Sequence, residues 1–201
     1  MLDELKKQAI KVLQQKIKPS RKDEEWRYAD LALLDGNNKK YTDIITNPHV
    51  IPAKAGIQES IDHYTIVIID GTLDKQASCL PSKEIKFYDI NEKNSSNILS
   101  KLNLQDEFNN KYHVLQNYSQ TTAFLVIDIN ATPDKPLKIY YINNENSYST
   151  IFINIKKEVD IKLYEQFIQY EPKPIFINQV THIELHDNAR CKHLKQHNFT
   201  K

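Results

Sequence analysis

The sequence predicts a mainly β fold with an N-terminal helical region, in which the β part is a β-solenoid. From Thr121 onward the chain is a succession of short segments rich in β-branched and aromatic residues, with prolines between them. Within this part, the frame 155–165 recurs at 185–195, an offset of 30 that aligns Ile161 with Cys191. A β-sandwich also consists of short strands, but periodic self-similarity favours the solenoid.

A second, shorter repeat supports the same interpretation. Residues 137–140 match residues 161–164, an offset of 24. Coils of 20 to 30 residues are too small to bury an apolar face alone and have to stack on their neighbours. We therefore expect residues 121–201 to form the first coils of the β part.

We predict a helical region over residues 1–45. Apolar residues recur at spacings of three and four across residues 2–17, and Pro19 ends this first helix. Ser20 and the acidic residues that follow it indicate the start of a second helical segment, which carries Trp26. Helix-start acids complement the helix dipole and need no catalytic explanation.

Two further segments lie between the helical region and the β part. Residues 46–63 contain two prolines and a glycine that interrupt any period, and we interpret them as an exposed connector or insertion. Residues 64–120 form a mixed α/β lead-in, with predicted strands at 65–70 and 84–90. A short helix is expected at 97–112.

Composition restricts the classes of function. The 27 basic and 26 acidic residues give a formal net charge of +1, too little for a field that attracts nucleic acid or an anionic membrane. The three glycines exclude a glycine-rich phosphate loop. Two cysteines form neither a disulfide framework nor a four-thiolate cluster site. The N-terminus lacks the apolar core of a signal peptide. We therefore expect a cytoplasmic protein.

Four C-terminal histidines and one cysteine are the candidate metal ligands. His182 and His186 form one H-x3-H pair, and His193 and His197 form another. On a helix each pair could bind zinc, but these segments have a strand pattern, which places the histidines on a solvent-facing side. Cys191 aligns with Ile161, an inward apolar position, so we interpret it as a small core residue. We assign no catalytic, cofactor-binding or metal-binding residue.

Three stretches carry a resemblance to a known family. Pro19–Leu31 reads PSRKDEEWRYADL, and Thr121–Ile139 contains TAF followed later by KPL. The most specific stretch is Phe176–Gln196, FINQVTHIELHDNARCKHLKQ. Together with VIIDG at 67–71, these stretches resemble the N-terminal half of SufD members of the SufB/SufD family of iron–sulfur cluster assembly scaffold proteins, in the family's order.

The resemblance implies a right-handed parallel β-helix, incomplete at its C-terminus, after a helical region. It implies a scaffold without catalytic activity that acts through protein–protein interaction with SufB-like and SufC-like proteins, and with a separate C-terminal SufD fragment as a further possible partner. The chain alone would bind no cofactor, because the iron–sulfur cluster is assembled at the level of the complex. The alternatives are a non-functional truncated relic and a carbohydrate-active or carbohydrate-binding β-solenoid.

Overall fold

The computed structural model of the chain describes residues 2–23, 62–81, 83–91, 98, 101–169 and 175–198. Their elements, in chain order, are α1 (Leu2–Gln14), β1 (Tyr64–Ile69), β2 (Thr72–Cys79), β3 (Ile85–Asp89), α2 (Tyr112–Gln120), β4 (Ala123–Ile129), β5 (Leu137–Asn143), β6 (Ser147–Ile155), β7 (Asp160–Gln169), β8 (Ile177–Leu185) and β9 (Arg190–Asn198). The predicted connector 46–63 and the predicted helix at Trp26 lie almost entirely outside these ranges. No helix in the described ranges is both long and apolar enough to span a membrane.

The first predicted helix is confirmed over residues 2–14, where α1 buries Leu2, Leu5 and Ala9 on one face. The helix expected at 97–112 is confirmed only in part: Ile98 and Lys101 are helical, but residues 102–111 form no regular helix and α2 begins at Tyr112. The Asn103 side chain accepts a hydrogen bond from the backbone of Gln105 at 3.1 Å. Local bonds of this kind compete with helical hydrogen bonds, which explains the turn at this place.

The strands form two sheets. The five-stranded sheet has the order β2-β1-β5-β7-β9, and the four-stranded sheet has the order β3-β4-β6-β8. The pairs β1–β2 and β3–β4 are antiparallel, and all other pairs are parallel. From β4 onward, successive strands alternate between the sheets.

The predicted fold class is therefore wrong. A mainly β fold built as a right-handed parallel β-helix was expected, whereas the chain is mixed α/β, with helices and two sheets that each contain parallel and antiparallel pairs. The physical reason lies in the segment before Thr121. Its turn at Gly71 folds β2 back onto β1, β3 pairs antiparallel with β4, and α1 and α2 cover one sheet.

The repeat predicted part of the strand register correctly. The offset of 30 is observed, because Ile161 pairs with Cys191 and Ile155 with Leu185. The offset of 24 is wrong, because Leu137 pairs with Leu163 at an offset of 26. The error of two residues keeps every side chain on its own face of the sheet, so the apolar pattern alone did not reveal it.

The chain has two main apolar cores. One lies between the sheets and is built from the inward residues of the central strands, such as Ile66, Ile127, Ile139 and Ile153. The other lies between the four-stranded sheet and the helices, where Tyr118 of α2 is fully buried. The four-stranded sheet is thus covered on both faces.

The turns that lead from one sheet to the other are also stacked. Glu158 and Asn188 occupy equivalent positions 30 residues apart, and both have left-handed backbones, with φ of 62° and 59°. The Glu158 N–H donates to the Asp187 carbonyl at 3.0 Å, and the Arg190 N–H donates to the Val159 carbonyl at 2.9 Å. The turns therefore hold β8 and β9 directly beside β6 and β7.

Candidate functional site at the open edge of the sheets

Strands β8 and β9 form the open edge, the surface at which both sheets end. β8 pairs only with β6, and β9 pairs only with β7, among the strands in the described ranges. The edge exposes two large apolar residues, Leu185 at 51% and Leu194 at 56%. A sheet edge of this kind presents backbone groups that can pair with a further strand.

A buried carboxylate ties three strands together behind the open edge. Glu165 of β7 has a fully buried side chain and accepts hydrogen bonds from Thr181 Oγ1 of β8 at 3.1 and 3.2 Å. From β9, His193 Nε2 lies 2.8 Å from Glu165 Oε1, and Lys195 Nζ lies 3.5 Å from Oε2. Lys195 also donates to Gln179 Oε1 at 3.1 Å. This cluster joins the last strands of both sheets.

The charge of Glu165 is maintained by these neighbours. Burial acts to raise the pKa of the carboxyl, but the hydrogen bond from His193 and the charge of Lys195 outweigh it and hold the pKa below its usual value. Tyr141 lies on the inner side of the same cluster with a buried hydroxyl that lacks a well-aligned hydrogen-bond partner. Burial and the Glu165 charge raise the pKa of Tyr141 well above its ordinary value, so it stays neutral.

An aromatic ladder lies beside this cluster. Tyr141, Phe167 and His197 are consecutive register partners on β5, β7 and β9. Their rings stack, with centroids 4.3 Å apart for the first pair and 4.6 Å apart for the second. Lys195 Nζ lies 5.2 Å from the centre of the Phe167 ring. The ladder extends the core between the sheets to the open edge, where His197 is exposed.

His182 lies on the opposite face of β8, against the helix layer. Its Nε2 is 2.5 Å from Tyr118 Oη, and that hydroxyl donates to Asn109 Oδ1 at 2.8 Å. Because the hydroxyl has a single proton, His182 Nε2 is the donor to Tyr118. Phe108 and Phe152 pack on the imidazole ring. Burial lowers the pKa of His182 to about 4, so the ring is neutral near pH 7.

His186 belongs to a chain of polar side chains on the same outer face. Its Nε2 lies 2.7 Å from Asn154 Oδ1, and the Asn154 amide donates to Asp128 Oδ1 at 3.0 Å. Lys101 forms a salt bridge of 2.5 Å with Glu184, the residue between the two histidines on that face. These bonds connect β4, β6 and β8 side by side.

The predicted metal candidates are thus divided between two places. His182 of β8 and His186, directly after β8, lie on the same face as expected, but His182 packs under aromatic rings, so the expectation that both face solvent is wrong for His182. His193 and His197 point between the sheets from β9, on the far side of the four-stranded sheet. Within the ranges that the structure describes, no three histidine, cysteine, aspartate or glutamate side chains are grouped to hold a metal ion.

Cys191 occupies the position that the repeat predicted. It pairs with Ile161 and packs against the core between the sheets. Burial raises the pKa of its thiol, which disfavours the thiolate that binds metals and acts as a nucleophile. Sequence reasoning missed Glu165, the buried residue at the centre of the cluster behind the open edge. The available signal was its inward position in the strand pattern, two residues after Leu163.

No family model matches the chain, and no curated protein matches it significantly.

Proposed function

We propose that the chain is a SufD-like scaffold component of iron–sulfur cluster assembly. It acts in the cytoplasm by binding SufB-like and SufC-like proteins, with a C-terminal SufD fragment as a further possible partner. In this proposal it performs no catalysis and binds no cofactor alone, and the cluster is assembled by the complex.

One observation carries the proposal. The stretch with the most specific resemblance to the family, Phe176–Gln196, is the stretch that forms β8, the following turn and β9. The family-like residues therefore build the open edge, where both sheets can accept further strands. Strand addition to a sheet edge is a common way for proteins to bind one another, because the backbone supplies affinity and the side chains supply specificity.

The chemistry of the open edge supports binding over catalysis. Glu165 has no exposed surface, and its oxygens are engaged by Thr181, His193 and Lys195. A carboxylate that is satisfied in this way holds strands together, whereas a catalytic acid or base has to reach a substrate. The rigid register of β7, β8 and β9 gives a partner a fixed surface.

Co-purification tests the proposal. The chain would be expressed with a tag together with SufB-like and SufC-like proteins and any C-terminal SufD fragment of the same source. We expect the SufB-like protein to be retained, and an absorption band of an iron–sulfur cluster to develop only in the complex after anaerobic reconstitution. A chain that elutes alone and colourless under these conditions would contradict the proposal and favour the relic alternative.

A further inference from the structure

We infer that the open edge of β9 takes an acidic β-strand of a partner chain, and that it rejects a second copy of this chain. This inference rests on the proposed function, because it names the chemistry of the partner that the scaffold binds.

The charges of β9 are of one sign. The strand carries Arg190, Lys192 and Lys195, together with His193 and His197, and it contains neither aspartate nor glutamate. The remainder of the chain is nearly balanced, because the whole chain has a formal net charge of +1. The basic character is thus concentrated on the strand that ends the five-stranded sheet.

The two faces of β9 differ in how this charge is compensated. On the inner face, Lys195 and His193 already contact the buried carboxylate of Glu165. Because Cys191 faces the core, the alternate residues Arg190, Lys192 and Leu194 face outward, and all three are exposed. The outer face therefore presents the charge that a partner can meet.

The register shows which outward charge needs a counter-charge. Arg190 pairs with Asp160, an acidic neighbour on β7. Lys192 pairs with Lys162, so two like charges are adjacent, an unfavourable cross-strand pair. An acidic residue on a further strand beside Lys192 would relieve this repulsion. The next outward residue, Leu194, is 56% exposed and pairs with Tyr164, so an apolar residue is favoured beside it.

The same charges oppose association of two identical edges. A second copy of β9 would bring the outward cations Arg190 and Lys192 against the same two cations, with no acidic residue on either strand. Lysines on edge strands are a known means by which sheets avoid pairing with themselves. An acidic strand with an apolar residue two positions after its acid places a carboxylate beside Lys192 and an apolar side chain beside Leu194. A second copy of β9 supplies no carboxylate.

Fluorescence anisotropy with two labelled nine-residue peptides tests the inference. One peptide has an extended sequence with the pattern Glu-x-Glu-x-Leu, and the other has Lys-x-Lys-x-Leu. We expect the full chain to bind the acidic peptide about tenfold more tightly at low salt, because two cross-strand charge pairs change from attractive to repulsive. Hydrogen exchange should show protection of β9 on binding. Equal affinities, or protection elsewhere, would overturn the inference.

Charge reversal on the chain gives the matched comparison. Lys192→Glu should abolish most of the peptide preference, because one of the two cross-strand pairs then changes sign, whereas Lys7→Glu, an equal change of charge on an exposed position of α1, should leave it intact. Both positions are exposed, and thermal unfolding checks that each variant folds. Sedimentation of the unmodified chain should show a monomer, and a dimer that Lys192→Glu strengthens or weakens would show that β9 pairs with itself and would overturn the inference.

Co-purification of the same variants separates this inference from the proposed function. A SufB-like protein retained equally by the unmodified chain and by Lys192→Glu, without a peptide preference, would overturn the inference and leave the scaffold function standing. A clear acidic preference without retention of any SufB-like protein would support the inference and contradict the proposed function. Absence of both would contradict both.

Discussion

Acidification should destabilise the fold through His182, which is partly buried between α2 and β8. Burial lowers the pKa of this imidazole from 6.5 to about 4. In the unfolded chain the side chain regains its ordinary pKa. Between these two values the unfolded state binds a proton at His182 that the folded state does not bind. The free energy of unfolding therefore rises with pH across this window. The share of it that depends on a neutral His182 is fully present above pH 6.5 and is lost as the pH falls towards 4.

The magnitude follows from the size of the change in pKa. One pKa unit corresponds to about 1.4 kcal/mol, so a fall from 6.5 to about 4 corresponds to about 3 kcal/mol at full effect. Partial access of water to the ring reduces this, and we expect a loss of about 2 to 3 kcal/mol between pH 7 and pH 4 from His182. That is a substantial part of the stability of a typical domain.

Urea denaturation at a series of pH values from 4 to 7.5 measures this contribution. His182→Gln retains a donor for Tyr118 but cannot titrate, so its stability should depend less on pH by about 2 to 3 kcal/mol over the same window. Tyr118→Phe removes the hydrogen bond but retains the burial that causes the low pKa, so it should keep most of the pH dependence. The reasoning is refuted if His182→Gln shows the same dependence on pH as the unmodified chain.

Three other predictions concern the open edge and the turns. Glu165→Leu should lower the free energy of unfolding by about 1 to 3 kcal/mol and accelerate hydrogen exchange in β9, because two basic side chains lose their acceptor. Adding Lys195→Leu should restore part of the lost stability, and an unchanged rate of exchange in Glu165→Leu would contradict the prediction. Gly71→Ala should cost about 1 to 2 kcal/mol by chemical denaturation, because φ is 82° and a Cβ would lie 3.2 Å from the Thr122 hydroxyl oxygen. Glu158→Gly should gain about 0.5 to 1 kcal/mol at a left-handed position, and a loss of stability would argue against that backbone conformation.

Most strands could be predicted from the sequence because each has the β-branched and aromatic composition of a buried strand. The predicted strands at 65–70 and 84–90 correspond to β1 and β3, and those after Thr121 correspond to β4 to β9. β2 was missed. Its sequence, TLDKQASC, is polar, and it forms a strand because the turn at Gly71 brings it back beside β1. Pairing in the folded chain overrides weak local preference here.

The fold class could not be predicted because the repeat predicts which residues pair between repeated strands, but not whether the strands outside the repeat pair in parallel or antiparallel. The offset of 30 gave the correct partners for β8 and β9, since similar sequences stack in similar positions. The antiparallel partners β2 and β3 have no counterpart in the repeat. The repeat also gave no sign of the helix layer. α2 covers the outer face of the four-stranded sheet, where Phe152, Val180 and His182 alternate with core residues.

The sequence drew attention to histidines on the strands of the open edge, but it did not predict what these side chains contact. The pattern on β8 placed His182 and His186 on one face correctly, but it gave no sign that Tyr118, 64 residues earlier in the sequence, would lie against His182. Glu165 was not recognised, because an inward carboxylate is explained only by its partners on other strands. Its partners His193 and Lys195 lie on β9, 28 and 30 residues later in the sequence.

The inner face of the five-stranded sheet changes from apolar to polar towards the open edge. Ile139 of β5 is followed in register by Glu165 of β7 and Lys195 of β9, and a neighbouring apolar pair, Leu137 and Leu163, is followed by His193. Such residues are stable at β9 because water reaches them there. When a further strand covers β9, it excludes that water, and the attraction between Lys195 and Glu165 strengthens as the local dielectric constant falls. We therefore expect a strand that paired with β9 to make it more rigid, which hydrogen exchange in β9 would measure.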